Sequence, residues 1–469
     1  MTEKVLSHKE QKRRNYILNG NLWQVVLTIS TPLAIYGLFN YLYGFFDLIM
    51  VSHISDHAVA SVVFIDEIKN AMMAFGGGIA AGGAVIVARY YGAGEIENAR
   101  KHAGASFSLA LTVSTVIVIM TLLFGKTLLR LLNAPDEIID AGIGYFNIQM
   151  ISTALIAVNA VFIGLEKAKG NTALILVLNI VAMIIKLILS YIFIFIMGKG
   201  ASYVALATLI AQGLLMVIAL FIMFSKHNSF QIKWHELGLK KYLILPILSL
   251  SMPVFTGKFL FSLGKVLVNS MAAFYGPLAV AAFGIAMKIG GGPNSIAIVF
   301  EESETTIISQ NLGQRHLKRA LKTYAISHLY ALIVGATLLF TVNYYFDLLL
   351  PIFTTNSDPL YMTMIKDIYF WEKFSTLTSS SIAVITGLFI GFKYTKVSFF
   401  INVIRLFLLR LPLLVIFQYL DIGYVALGYV MFLSNLITMI LSIILFIFFY
   451  IKIKTYGYMD MHLEHQRED

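Results

Sequence analysis

The sequence predicts an all-α membrane protein in which twelve transmembrane helices form two six-helix bundles related by pseudo-twofold symmetry. The composition gives the first reason: 58% of the 469 residues are hydrophobic and 13% are charged, whereas a soluble domain carries roughly 25% charged residues. The apolar runs are also long and continuous, which favours spanning helices of about 20 residues over the short alternating strands of a β-barrel. The third reason is that the second half of the chain repeats the first.

Twelve apolar segments are long enough to cross a bilayer, and together they use nearly the whole chain. They begin near Leu22, Ala58, Ala103, Ile143, Leu174, Tyr203, Ile244, Leu278, Tyr324, Tyr361, Phe399 and Val425. A polar and basic stretch from Lys4 to Arg14 precedes the first segment. Because that segment is long, we expect a retained helix and not a cleaved signal peptide.

The net charge of +10 is explained by the loops between these segments. Lysine and arginine gather in alternate loops, as at Arg89, Arg100 and Lys101, whereas the intervening turns are acidic or neutral. Cytoplasmic loops carry this excess of positive charge. We therefore expect a multi-pass protein of a prokaryotic plasma membrane, with both termini in the cytoplasm and no nucleic-acid partner.

The sequence does not favour an enzyme. Cysteine is absent, which excludes disulfides, thiolate catalysis and cysteine-ligated metal. The chain contains neither a Walker lysine motif nor a His-Glu-x-x-His pattern, and its ten histidines lack ligand spacing. We expect no catalytic residue, no bound metal and no cofactor.

The internal repeat becomes visible when the sequence is shifted by 221 residues, which places Pro32 on Pro253 and Gly92 on Gly313. Each copy has six helices, and an even number makes the copies parallel repeats related by an axis along the membrane normal. Transporters built in this way bind substrate between two lobes, which favours a carrier over a channel.

The repeat divides the chain into five parts. They are a cytoplasmic N-terminal segment (residues 1–21), an N-lobe with helices 1 to 6 (22–224), a cytoplasmic linker (225–241), a C-lobe with helices 7 to 12 (242–453) and a cytoplasmic C-terminal tail (454–469). The linker is polar and carries no recognisable domain.

Asp47 lies inside the first apolar segment, fifteen positions after Pro32. A charged carboxylate with little water around it costs several kcal/mol, so a functional role is the first interpretation. The second copy has Val268 at the matching position, since 47 plus 221 is 268. The simpler alternative is a hydrogen bond between Asp47 and a neighbouring helix.

Several motifs resemble the multidrug and toxic compound extrusion (MATE) family over almost the whole chain. They are Pro32 followed by Gly-Phe-Phe-Asp at 44–47, the Ala-Arg-Tyr-Tyr-Gly-Ala-Gly-Glu run from Ala88 to Glu95, and Gln-Asn-Leu-Gly-Gln-Arg from Gln310 to Arg315. The resemblance implies a MATE-like fold with a shared central cavity, and cation-coupled antiport of drugs and other xenobiotics by alternating access. Hydropathy alone fits the major facilitator fold equally well, but the motif around Asp47 favours the extrusion family.

The resemblance also implies a coupling site. In that family an aspartate at the position of Asp47 is a cation or proton site, and many members add an asparagine and an aspartate on helix 5. This sequence has Lys186 and Ser190 at those two positions. The candidate coupling site is therefore Asp47, Lys186, Ser190 and Asn179.

Lys186 is the informative departure from the family. We hypothesise that its ammonium pairs with Asp47 in the place of a sodium ion, which makes proton coupling the expectation over sodium coupling. The alternative is that Lys186 faces the second lobe or extends toward the membrane interface.

Further charges in the apolar segments are candidates for a lobe cavity. The full set is Asp66, Glu67, Lys258, Lys265, Lys288, Glu301, Glu302, Glu304, Glu372 and Lys373. The lysines of helix 7, Lys288 and Lys373 are the expected partners of the helix 8 glutamates, which replace alanine and glycine of the first copy. The charges form a second ion or proton site, part of the substrate cavity, or pairs within one lobe. Asp66 and Lys69 are three apart and could simply pair with each other.

We expect a small-molecule substrate, exchanged for a proton or a sodium ion by a monomer in a lipid bilayer. The resemblance implies organic cations, for which carboxylates and aromatic faces are suitable hosts. Several lysines fit such a substrate less well. A zwitterionic or anionic solute, or a lipid-linked precursor handled by a flippase, is therefore the alternative.

Overall fold

The structure, a computed structural model, describes residues 6–52, 56–131, 136–226, 228, 230–233, 237–354 and 358–458. Helices make up most of this described part. They are α1 (His8–Asn19), α2 (Leu22–Ser52), α3 (Asp56–Ala93), α4 (Ile96–Leu131), α5 (Asp136–Ala168), α6 (Thr172–Tyr191), α7 (Ala201–Phe224), α8 (Lys241–Ala272), α9 (Pro277–Ala297), α10 (Val299–Gly313), α11 (Leu317–Tyr344), α12 (Phe346–Phe353), α13 (Pro359–Glu372), α14 (Ser375–Gly391), α15 (Thr395–Val403), α16 (Leu411–Tyr419) and α17 (Ala426–Tyr456). Two π-helical turns, Ile192–Ile196 and Ile404–Arg410, extend α6 and connect α15 to α16.

Within the described residues, 12 helical segments are long and apolar enough to cross a membrane, which confirms the predicted number. Three of these spans join two helices: Pro277–Gly313, Pro359–Gly391 and Thr395–Tyr419. Some helices begin earlier than predicted; α4, for example, starts at Ile96 and not near Ala103. The difference arises because a helix satisfies its own backbone hydrogen bonds and can continue through polar sequence beyond the apolar run.

The two bundles pack against each other through contacts that obey the repeat. Gly92 on α3 lies against the backbone of Gln310 on α10, and Gly313 on α10 lies against the backbone of Arg89 on α3. The 221-residue shift relates Arg89 to Gln310 and Gly92 to Gly313, so the same contact is made twice. A twofold axis produces reciprocal contacts of this kind, and they confirm the predicted pseudo-twofold symmetry. Glycine allows the two backbones to approach closely.

A second reciprocal pair of contacts joins α2 to α10 and α8 to α3. The Ser30 hydroxyl of α2 donates a hydrogen bond to the Ser303 hydroxyl of α10 at 2.7 Å, in a buried position. The same shift relates Ser30 to Ser251 and Gly82 to Ser303, and Ser251 of α8 packs against Gly82 of α3. Helices α2, α3, α8 and α10 therefore form much of the interface between the lobes.

Helix α1, which the sequence analysis did not anticipate, lies across both lobes. Its first turn carries a capping box, because Ser7 and Glu10 each accept a hydrogen bond from the other's backbone N–H. Arg14 donates to the carbonyls of Tyr91 and Gly92 on the N-lobe, both at 2.8 Å. From the C-lobe, Arg319 donates to the carbonyls of Ile17 at 3.0 Å and Gly20 at 2.5 Å.

The C-terminal end of α17 closes the same end of the molecule. Tyr458 follows that helix, and Arg89 donates to its hydroxyl at 2.6 Å and to the carbonyl of Gly391 at 2.7 Å. Arg89 is 1% exposed, so this N-lobe guanidinium is buried among C-lobe groups. The lobes are thus held together at the end of the molecule that carries α1 and the end of α17.

Candidate functional site

In the N-lobe, helix α6 places three of the predicted site residues on one buried face. Asn179, Lys186 and Ser190 are all buried, and their spacings of seven and four residues match the helical repeat. Lys186 is 2% exposed, and its ammonium lies 4.5 Å from the centre of the Tyr43 ring on α2. The side chain therefore points into the N-lobe and does not extend to a hydrated interface.

The neighbours of Lys186 on α6 differ in how their polar atoms are used. Asn179 donates to the carbonyl of Ile175 at 2.8 Å, one turn earlier. The Ser190 hydroxyl is buried and has no hydrogen-bond partner among the described residues. It is available to a bound ion, a water molecule or a proton carrier.

The backbone of Asp47 belongs to α2, but its side chain lies outside the described residues. The pair that we expect between Lys186 and Asp47 therefore stays a prediction. Position 47 follows Tyr43 by one helical turn, and residues four apart share a helix face. The ring that contacts Lys186 is thus on the stretch of α2 to which position 47 belongs.

Asp66, in the first third of α3, is engaged in local contacts. Its carboxylate lies 2.6 Å from the ammonium of Lys69 and accepts a hydrogen bond from the Tyr145 hydroxyl at 3.3 Å. The pairing of residues three apart is the simpler of the two interpretations that the sequence allowed. Tyr43 lies close enough to Tyr145 and Asp66 for all three to interact electrostatically. The side chain of Glu67 lies outside the described residues.

In the C-lobe, Glu304 of α10 is completely buried, with 0% of its surface exposed. Its carboxylate lies against Gly387 of α14. Neither carboxylate oxygen accepts a well-formed hydrogen bond from a described residue, and the donors close to it are the Ser327 hydroxyl of α11 and the backbone N–H of Leu388. In the first copy the corresponding residues are Gly83 and Ser106, which pack directly together. Glu304 thus adds an acid at a place where the N-lobe has only a close helix contact.

Beside Glu304 lies a set of polar groups that the sequence analysis missed. The Nδ1 atom of His328 is 3.1 Å from the Tyr324 hydroxyl, and its Nε2 atom is 3.1 Å from the Ser381 hydroxyl. Tyr324 in turn interacts electrostatically with Glu304. A histidine in an apolar segment was the available signal. Tyr324 lies one turn earlier on the same helix, but Ser381 is on α14, 53 positions away, and no spacing pattern indicates it.

The other two glutamates of α10, Glu301 and Glu302, face in different directions. Glu302 forms an ion pair with Lys167 of α5 at 2.7 Å, a contact between the lobes. Glu301 interacts electrostatically with Lys258 of α8 and with Arg405. Glu301 also interacts electrostatically with Glu302 and with Glu304. The three carboxylates therefore form one charged group on α10, in which each has different further partners.

Of the lysines expected to be partners of these glutamates, Lys258 interacts with Glu301 and Glu302, whereas Lys373 has other contacts. Lys373 donates to the Asn343 side chain at 2.9 Å and lies 4.5 Å from the centre of the Phe370 ring. Lys288 is exposed, and its backbone carbonyl accepts a hydrogen bond from the Tyr41 hydroxyl. Lys265 lies 5.3 Å from the centre of the Phe261 ring. The sequence identifies the charged residues, but it does not indicate toward which neighbouring helix each side chain points.

The C-lobe also contains two arginines on the segment that matches α6. Arg405 donates to the Asn402 side chain at 2.8 Å and lies 4.1 Å from the centre of the Phe261 ring. Arg410 is buried and donates to Ser434 at 3.1 Å and Asn435 at 3.0 Å.

A buried acid accompanies these arginines. Glu372 of α13 is 7% exposed, and Arg410 interacts with it electrostatically. Asn402 and Asn179 are repeat-related at a shift of 223. Each lobe thus buries a cation shortly after the matched asparagine.

Within the described residues, no group of three or more histidines and carboxylates could hold a metal ion. In the C-lobe, Glu304 and Glu372 are buried on two different helices. A single buried carboxyl is stabilised by taking up a proton, or by a cation that supplies its missing partner. This arrangement suits protonation or the binding of a single monovalent ion.

The family model described as MatE matches residues 32–192 and 253–416. Among curated relatives, the multidrug export protein MepA of Staphylococcus haemolyticus is 24% identical over 322 residues, 66% of this chain and 70% of that protein.

Among solved structures, a MOP superfamily transporter from Pyrococcus furiosus, described as having a binding pocket of reverse polarity, aligns with a TM-score of 0.89 at 19% identity. The alignment covers 96% of this chain and 100% of the other. A multidrug resistance MATE family transporter in an outward-facing conformation aligns with a TM-score of 0.89 at 19% identity, over 96% and 99% of the two chains. The matched regions fall on the two copies of the repeat.

Proposed function

This chain belongs to the MatE family, and on that premise we propose that it is a secondary active transporter that exports small organic molecules in exchange for a cation. Export proceeds by alternating access, in which the two lobes rock about the axis that relates them. The observation that carries the proposal is the reciprocal contact between Gly92 and Gln310 and between Gly313 and Arg89. Such a symmetric contact can open as a unit, because both halves of it lie at the same end of the molecule.

The proposed topology places that end in the cytoplasm. The basic residues Arg14, Arg89 and Arg319 all lie there and make contacts between the lobes or with α1. This distribution agrees with the positive charge of cytoplasmic loops. Both termini are then cytoplasmic, the lobes comprise residues 22–224 and 242–453, and the monomer is the working unit in a prokaryotic plasma membrane.

For the coupling ion we propose a proton in preference to sodium. Lys186 brings a positive charge into the buried face where a sodium site would need oxygen ligands. With Asp47 as its partner, the lysine replaces a bound metal cation, and proton uptake by the carboxylate breaks the pair. A ligand shifts a two-state equilibrium only if it binds the two states differently, and a carboxyl that is paired in one state and hydrated in the other meets that condition.

A second candidate function is the export of an anionic or zwitterionic solute. It is favoured by Arg405 and Lys258, two cations that interact with Glu301, and by Lys265, which is exposed. A structure of the same fold from Pyrococcus furiosus is described as having a binding pocket of reverse polarity.

Transport by purified protein in proteoliposomes tests both proposals. We expect a fluorescent organic cation such as ethidium to be moved when a proton gradient is imposed and not when a sodium gradient is imposed. Asp47→Asn should abolish the coupled transport. Transport driven by sodium alone would contradict the proton proposal. Uptake of an organic anion but of no cation would favour the second function.

A further inference from the structure

A basic cavity lies at the junction of the lobes, beside the turn between α1 and α2. It measures about 560 Å³ and is lined by Gly20, Asn21, Leu22, Trp23, Lys318, Arg319 and Lys322. Gly20 and Asn21 form the turn between α1 and α2, and Leu22 and Trp23 begin the N-lobe. The three cations belong to the first turns of α11. A molecule bound there would touch both lobes.

The three cations have no acidic partner among the described residues. Lys318 and Lys322 are four apart on α11, so they share one helix face, and both are exposed. Arg319 uses one nitrogen to hold the carbonyls of Ile17 and Gly20, and its Nε atom is buried without a hydrogen-bond partner. Cations in the first turns of a helix oppose its dipole, so a negative ligand would stabilise all three.

One wall of the cavity is apolar and leads into the membrane-spanning part. Trp23 is 41% exposed and Leu27, one turn further along α2, is also 41% exposed. The Trp23 ring meets the Tyr330 ring of α11 edge-on, with centroids 5.5 Å apart. Leu22 is the first residue of its span, and tryptophan at such a position is typical of the membrane interface.

We propose that this cavity binds the headgroup of an anionic phospholipid, with the acyl chains lying along Trp23 and Leu27. The lysines supply charge for the phosphate, and the apolar strip supplies a surface that a free anion would not need. Basic pockets between helices on the cytoplasmic side are suited to anionic headgroups. The bound lipid joins α2 to α11 beside the turn that Arg319 already holds. The proposal does not depend on the transported substrate or on the coupling ion.

Binding can be measured without transport, as the melting temperature of the purified protein in a neutral detergent. We expect short-chain phosphatidylglycerol to raise the melting temperature, and phosphatidylcholine of the same chain length and inorganic phosphate to leave it unchanged. In the double variant Lys318→Gln/Lys322→Gln the apparent affinity for phosphatidylglycerol should fall on the order of 30-fold, because each cation near a membrane contributes about a 5-fold effect.

The matched control is Lys240→Gln/Lys241→Gln, which removes two exposed lysines at the start of α8 and should keep the full effect. Lys318→Arg/Lys322→Arg preserves the charge and should also keep it, which guards against a folding defect in the glutamine variant. Equal stabilisation by inorganic phosphate would show a free-anion site and overturn the lipid proposal. It would equally be overturned if the effect survived in the Lys318→Gln/Lys322→Gln variant, or was lost to the same extent in the control.

Discussion

At the scale of single residues, Lys186 carries the clearest prediction, because its ammonium is buried. It lies against the Tyr43 ring, and a cation–π contact contributes about 0.5–2 kcal/mol, whereas burying a charge costs several kcal/mol. A carboxylate on the same stretch of α2 would offset more of that cost. This is the physical reason to expect the pair with Asp47.

A double-mutant cycle tests that pair. Lys186→Met and Asp47→Asn should each destabilise the protein by about 3–5 kcal/mol, since each removes one partner of the expected pair. The double variant should be less destabilised than the sum of the two by more than about 1 kcal/mol. Thermal unfolding in detergent gives the three values. Effects that add within about 0.5 kcal/mol would mean that the two side chains do not interact.

Glu304 is the second residue with a sharp prediction. Glu304→Gln keeps the shape that fits against Gly387 but cannot exchange a proton. If proton binding at Glu304 takes part in coupling, the variant should fold normally and lose the dependence of transport on the proton gradient, with at least a tenfold lower gradient-driven rate. Proteoliposome flux at several external pH values measures this. The control is Glu97→Gln, an exposed carboxylate that pairs with Lys101 at 2.9 Å; an equal loss there would contradict a specific role.

At the scale of helices, the glycine contacts between α3 and α10 should be the least tolerant positions. Gly92→Ala and Gly313→Ala each place a methyl group into a neighbouring backbone, and overpacking of this kind costs about 1–3 kcal/mol. The repeat predicts similar effects for the two variants, because the contacts are symmetric. Melting temperatures measure the effect. Gly213→Ala, at a helix position with open space around it, is the matched control, and a loss of stability there equal to that of Gly92→Ala would contradict the argument.

The helices also show which features of the fold can be predicted from the sequence. The twelve spans and the repeat follow from composition and spacing, since every apolar run must satisfy its backbone hydrogen bonds as a helix in a membrane. The buried charges are equally visible in the sequence. Their partners are not: Glu302 meets Lys167, 135 positions away, and His328 meets Ser381 across two helices. Such contacts depend on the rotation of each helix about its axis, which packing decides and local sequence does not.

The start of α1 is marked in the sequence by a capping-box motif that the sequence analysis did not use. Ser7 and Glu10 have the spacing of a capping box, and the box forms. The role of the helix could not be foreseen, because it depends on Arg14 of α1 reaching the N-lobe and on Arg319 of the C-lobe reaching α1. The polar segment before the first span is thus part of the contact between the lobes.

At the scale of the whole molecule, alternating access requires that the lobes part where they now touch. Ser30 and Ser303 lie on opposite lobes with their hydroxyl oxygens 2.7 Å apart, and the chain has no cysteine of its own. The double variant Ser30→Cys/Ser303→Cys therefore places two thiols within the range that a disulfide needs, with no native thiol to interfere. The resulting bond would covalently join α2 to α10.

We expect oxidation of that variant to stop transport in proteoliposomes, and reduction to restore it, because a bond between the lobes prevents the rocking motion that exposes the site to the other side. The single variants Ser30→Cys and Ser303→Cys, treated with the same oxidant, should keep their activity. Mass spectrometry of the oxidised protein establishes how much of it carries the disulfide. Full activity in a fully cross-linked sample would mean that α2 and α10 stay together throughout the cycle, and the opening would then have to occur between α3 and α8, where Ser251 packs against Gly82.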